Sequence, residues 1–215
     1  MNLFFLSRKA FPAVSDILKA SLLAALLIPV SCGTKVSPTM TSDEIRLIND
    51  SPDEMRILTV DNDDDLAVLR NRSVNFNEAD FNAAEYRTLA KKLVVTLENT
   101  DGGVGLAAPQ VGINRRVVAV QRVDKDGEPI EVYPNIRIVE FRGQMEEGAE
   151  GCLSVPEQRG EVLRYKDITI AYTYVDGSSP DRPREIREDV SGFAAVIFQH
   201  EVDHLEGVIF TDKVQ

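Results

Sequence analysis

The sequence predicts an α+β fold on three observations: one amphipathic helix early in the chain, a cluster of strands in the middle, and one apolar helix near the end. The early helix covers Ala84 to Leu97, where Leu89, Leu93 and Leu97 recur at four-residue steps and form a single stripe. Val117–Val120, Ile136–Phe141, Ile168–Val175 and Glu185–Val190 read as strands. The third of these alternates through Ile168, Ile170, Tyr172 and Tyr174, as a half-buried strand does. Asp124-Lys125-Asp126-Gly127 and Asp176-Gly177-Ser178 supply turns. The late helix has Ser191 as its N-cap, continues through Phe193, Val196, Ile197 and His200, and is ended by Gly207. There is no internal repeat and no low-complexity tract.

Both histidines of the chain lie on that last helix, in Gln199-His200-Glu201-Val202-Asp203-His204. A spacing of four places the two imidazoles one turn apart on one face, where they can hold one cation with Glu201 beside them as a proton acceptor. The pattern is short and also occurs on solvated helices. This helix is apolar, however, and a buried imidazole needs a partner. A catalytic metal site keeps three protein ligands and one open position. Eleven residues follow His204, and Glu206, two positions on, points elsewhere around the helix, so the third ligand is sought upstream. Of the two cysteines, Cys32 closes an apolar N-terminal stretch. Cys152, in Glu150-Gly151-Cys152-Leu153-Ser154, is then the soft ligand available; without a metal it would be a small buried hydrophobe. A third segment, Gly103-Val104-Gly105-Leu106-Ala107-Ala108-Pro109-Gln110, has two glycines that let backbone approach a ligand closely. It lacks the third glycine of a dinucleotide fingerprint, and alone it reads as a tight turn between helix and strand.

These three segments, in this order, resemble the three signature motifs of the peptide deformylase family: G-x-G-L-A-A-x-Q at Gly103 to Gln110, E-G-C-L-S at Glu150 to Ser154, and Q-H-E-x-D-H at Gln199 to His204. The similarity runs from about Met55 to the C-terminus. It implies mixed and antiparallel sheets around a central metal-binding helix, and a monomeric hydrolase that releases formate from N-formylmethionyl peptides. By the same resemblance Cys152, His200 and His204 hold one divalent metal, Fe2+ foremost, with Zn2+, Ni2+ or Co2+ as substitutes. Such a metal lowers the pKa of its water toward about 7. Glu201 would take the water proton and pass it to the leaving amine. The Gln110 side chain and the Leu153 backbone N–H would face the charge that builds on the formyl oxygen. Val104, Gly105, Glu150 and Arg159 carry over as substrate-groove residues, and Phe193 and Val196 as walls of the methionine pocket; apart from the resemblance, an apolar residue on a helix face is core. Two other classes compete. A metallopeptidase of another lineage should place a His or Glu ligand after His204, and a non-catalytic metal-binding lipoprotein should have lost Glu201 or Gln110; neither holds.

The chain's start departs from that pattern. Arg8, Lys9 and Lys19 precede an uncharged run from Ala20 to Ser31, too short to span a bilayer comfortably, and Val30-Ser31-Cys32-Gly33 resembles a bacterial lipoprotein cleavage site. The expected organisation is a signal sequence over 1–32 with Cys32 as the lipid-bearing residue, a polar tether over 33–54, and a catalytic domain over 55–215. The protein would then be exported or membrane-anchored. A true start at Met40 or Met55 would leave it cytoplasmic. The relatives the resemblance brings in often carry a further C-terminal helix, peripheral to the metal site. Residues 33–215 carry 21 basic against 34 acidic side chains, a net of −13, which argues against nucleic acid or anionic lipid as a partner. With Cys32 lipidated, Cys152 would have no disulfide partner.

Overall fold

The leucine stripe and the apolar late helix predicted above become two of the packing centres of the computed structural model, which describes residues 39–176 and 179–215. The expected signal sequence and Cys32 lie outside the described residues. Helix α4 (Ala84–Glu98) buries Leu89, Leu93 and Leu97 against a three-stranded antiparallel sheet of β1 (Gly105–Ala107), β2 (Val117–Gln121) and β3 (Ile130–Pro134). A second antiparallel sheet is built from β4 (Arg137–Cys152), β5 (Val155–Asp176) and β6 (Ser179–Ser191). Helix α5 (Gly192–Leu205) fills the space between the sheets. It is apolar nearly all round, which is the signature of a buried helix, and its Ala194, Ala195, Ile197, Phe198, Val202 and Leu205 share a core with Val118, Val120, Ile168 and Ile170. The class is α+β, as expected.

The expected strands begin or lie within longer ones. Ile136–Phe141 covers the opening of β4, and Ile168–Val175 the second half of β5. Strands β1 and β3 were not anticipated: β1 is three residues long and buried at each of them, so it offers no alternation to read. Ser191 does stand at the N-cap of α5, but its side chain makes no capping hydrogen bond. Gly207 ends the helix at φ +73°, and a β-carbon there would stand 2.3 Å from the Arg70 carbonyl oxygen, so both conformation and space require glycine.

The stretch expected as a polar tether is folded from Thr39 onward. Helix α1 (Ser42–Asp50) opens on a capping box in which Thr41 and Glu44 exchange side-chain and backbone hydrogen bonds. Ile48 is fully buried in the α4 core with Met40 and Met55. Glu44 forms a two-point ion pair with the buried Arg115, whose guanidinium also donates to the Thr39 carbonyl. The polar composition masks a helix that turns Ile45 and Ile48 toward the core and leaves Leu47 at the surface. Two further short helices, α2 (Asp63–Leu69) and α3 (Glu78–Asn82), are too short and too polar to show an apolar period in the sequence.

Candidate metal centre

Three chain segments converge at the middle of α5. The β4–β5 hairpin turns through Leu153 and Ser154, with Cys152 paired to Val155 across the turn, which points the cysteine at the helix. Cys152 Sγ lies 3.2 Å from His204 Nε2. Cys152, His200 and His204 each offer a ligand atom, and these atoms all fall within 4.8 Å of one another. The third segment is the single-turn 3-10 helix Ala108–Val111, which follows β1 and carries Gln110. The Gln110 oxygen accepts the Ala107 N–H at 2.8 Å, so its amide nitrogen is the end that faces the site, 3.7 Å from Cys152 Sγ and 3.2 Å from Ser154 Oγ.

A second layer fixes the ligands. Glu150 receives His200 Nδ1 at 2.8 Å and is held by a two-point pair from Arg164, Nε at 2.7 Å and Nη2 at 2.9 Å. Arg164 is 4% exposed and reaches Asp203 with its remaining nitrogen at 2.5 Å, so one cation ties the hairpin to the helix. Gln199 pins the same helix by hydrogen bonds to the backbone N–H and carbonyl of Tyr165. Glu150 had been expected to face substrate. It borders the cleft, but both its oxygens are engaged inside the protein, on Arg164 and His200. Arg164 and Asp203 were missed, because an arginine in a strand says nothing of its burial; the only clue was Asp203 lying between the two histidines.

The residues suit a first-row divalent cation. One thiol and two imidazoles are a borderline-soft set. With His200 Nδ1 occupied by Glu150, its other nitrogen is left to coordinate, the arrangement in which a carboxylate orients a metal-bound histidine. The charges agree. Burial opposes a proton on His200, yet the Cys152 sulfur and Glu150 raise its pKa to about 10, so these surroundings favour a positive charge. A cation would take that proton's place. Burial, and then the charge on His200, hold His204 well below the usual histidine value, in the neutral form a ligand needs. Burial would raise Glu150, but Arg164 and His200 bring it down to about 2. Burial pushes Glu201 up to about 7 against the opposing pull of His200, and its Oε2 is buried with no hydrogen-bond partner.

Gln110, Cys152, His200 and Glu201 line a cleft of about 400 Å³. Val104, Gly105, Glu150, Leu153, Arg159, Phe193 and Val196 all line it, so with His204 just beneath Cys152 and His200 the described residues singled out for the site are brought to one place. Phe193, 58% exposed, stands at its mouth; Gly105 and Gln110 are buried at its base.

A thiol, two imidazoles and a buried carboxylate beneath an open cleft define the class: a metal-dependent hydrolase on an α+β scaffold. Residues 55–215 match the family described as Polypeptide deformylase, and the chain belongs to that family. It is 42% identical over 125 residues to a peptide deformylase of Desulforudis audaxviator, a match covering 58% of this chain and 75% of the relative. Among solved structures it is similar to the peptide deformylase of Thermotoga maritima, at TM-score 0.63 and 33% identity, over 75% of this chain and 97% of that one. It is also similar to a Met-Ala-Ser-bound class I type b peptide deformylase from Acinetobacter baumannii, at TM-score 0.62 and 31% identity, over 74% of this chain and 98% of that one.

Proposed function

We propose that this chain hydrolyses the formyl amide of N-formylmethionyl peptides, releasing formate and a free methionyl N-terminus. The observation that carries the reading is the buried Glu201 carboxylate with an unsatisfied oxygen, set beside a Cys-His-His ligand group and a Gln110 amide aimed at the same point. A divalent cation held by Cys152, His200 and His204 would supply Lewis-acid polarisation and acidify a water molecule. Glu201 accepts the proton released as water attacks the formyl carbon and delivers it to the departing amine. The Gln110 amide N–H, joined by the Leu153 backbone N–H at the hairpin turn, donates to the formyl oxygen as it gains charge. Val104, Val196 and Phe193 give the methionine side chain an apolar wall, and Arg159 offers a cation to the peptide beyond it. The peptide bound to the Acinetobacter relative supports a substrate of this kind.

The thiolate favours Fe2+ as readily as Zn2+, and we take Fe2+ as the resident metal. The basic-then-apolar start ending at Cys32 supports export with a lipid-anchored terminus. Two acyl chains on Cys32 would hold the protein at a membrane where one is marginal. Cell fractionation of the native protein and of Cys32→Ala tests the address: release of the variant alone into the soluble fraction supports it, and a native chain found soluble with an unmodified N-terminus removes it. Activity is tested with Glu201→Gln. The variant should bind metal normally and lose about 10²–10⁴-fold in formate release from formyl-Met-Ala-Ser; undiminished turnover would overturn the mechanism.

A further inference from the structure

Helix α1 precedes the segment shared with the family, yet it is packed against the piece of chain that presents Gln110. The 3-10 turn Ala108–Val111 ends at Gly112, held at φ +90°. A β-carbon on Gly112 would stand 2.9 Å from Leu47 Cδ2, so the α1 side chain lies directly on the turn's exit. Ile48, one residue on, shares a core with Ala108, Val111 and Ile113 from the turn and its continuation. Past the turn, Glu44 grips the buried Arg115 at two points, both 2.8 Å. Within the turn the Gln110 carbonyl accepts the Leu58 N–H at 2.8 Å. The turn that carries the Gln110 amide is therefore held by α1 at its exit and by the segment at Leu58 through the Gln110 carbonyl.

We propose that α1 is a positioning element for deformylation, with Leu47 and the Glu44–Arg115 pair setting the turn so that Gln110 faces the formyl oxygen. The inference rests on the role given to Gln110 above. A donor that acts on charge developing during the reaction contributes to kcat and little to ground-state binding. Loosening its support should show the same pattern. Leu47 is 39% exposed, so Leu47→Ala removes the contact while sparing the buried core.

The test is a double-mutant cycle in the full-length, metal-loaded chain, with kcat expressed per bound metal. Leu47→Ala should lower kcat by about three- to tenfold with KM unchanged, a fraction of the about 10²–10³-fold expected for loss of a whole oxyanion donor. Added to Gln110→Ala it should cost nothing more, because the group it positions is already gone. Glu44→Gln should behave in the same way and guards against an idiosyncrasy of one site. Unchanged kcat in both single variants, or penalties that simply add to that of Gln110→Ala, would overturn the positioning role. Full activity in Gln110→Ala itself would instead remove the underlying reading of Gln110, and that outcome is separable because it needs no α1 variant.

Discussion

A β-carbon placed on Gly105 would stand 2.3 Å from Glu201 Oε1 and 2.8 Å from Glu201 Cγ. The backbone of β1 thus forms the wall against which the proposed base is seated, and only glycine leaves room. Gly105→Ala should displace Glu201 and lower kcat by about 10²-fold, the scale on which small misplacements of a reacting group act. Metal content should be retained, since the atoms nearest the added methyl belong to Glu201 and not to a ligand. Kinetics with parallel metal analysis decide; near-native turnover would show that Glu201 has freedom the structure denies it.

The pH profile follows from the same residue. Glu201 must be ionised to accept a proton, and burial raises its pKa from 4.5 to about 7. A nearby cation pulls that value down again. The rate should therefore fall as pH drops through a single ionisation lying between 4.5 and about 7. A kcat/KM that stays level across that window would exclude Glu201 as the base.

The metal helix was legible because its chemistry is local: residues four apart on one helix face each other in any fold. Cys152 and Gln110 could be brought to it only through the order of three motifs, since the docking of the β4–β5 hairpin and of β1 against α5 is set by long-range packing that no single segment displays. Arg164 illustrates the limit. Its burial and its two carboxylate partners depend on where β5 lies against α5. Helix α1 illustrates the opposite case, for Thr41 and Glu44 followed by Ile45 and Ile48 spell a capping box and an apolar stripe that the polar composition around them masked.

Arg164 should matter to both stability and metal. Arg164→Met leaves Glu150 and Asp203 without their shared buried cation, a loss on the order of 3–5 kcal/mol. Slackened support of His200 should weaken metal binding by about 10–100-fold. Glu150 adds a pH signature. Its folded pKa of about 2 lies below the ordinary 4.5, so its contribution is fully present above 4.5 and is lost as pH falls toward about 2. Acid titrations of unfolding should show this loss in the native chain and much less of it in Arg164→Met. Equal acid sensitivity in the two would mean that the pair does not govern Glu150.

Cys152 carries the last prediction, and stability reads it without any assay of turnover. A ligand present at a hundred times its Kd stabilises the folded state by about 2.7 kcal/mol. For a body of this size that raises Tm by roughly 5–10 °C. Protein purified without oxygen should hold about one divalent metal per chain, the number a single three-ligand site accommodates, and chelation should lower its Tm by that amount. Cys152→Ala removes the one anionic ligand from a half-buried position at a hairpin turn, where a small side chain fits without strain. The variant should fold, lose most of its metal, and show no further drop in Tm on chelation. If its metal content and its chelator response both match those of the native chain, the cation is held elsewhere and the Cys152-His200-His204 assignment fails.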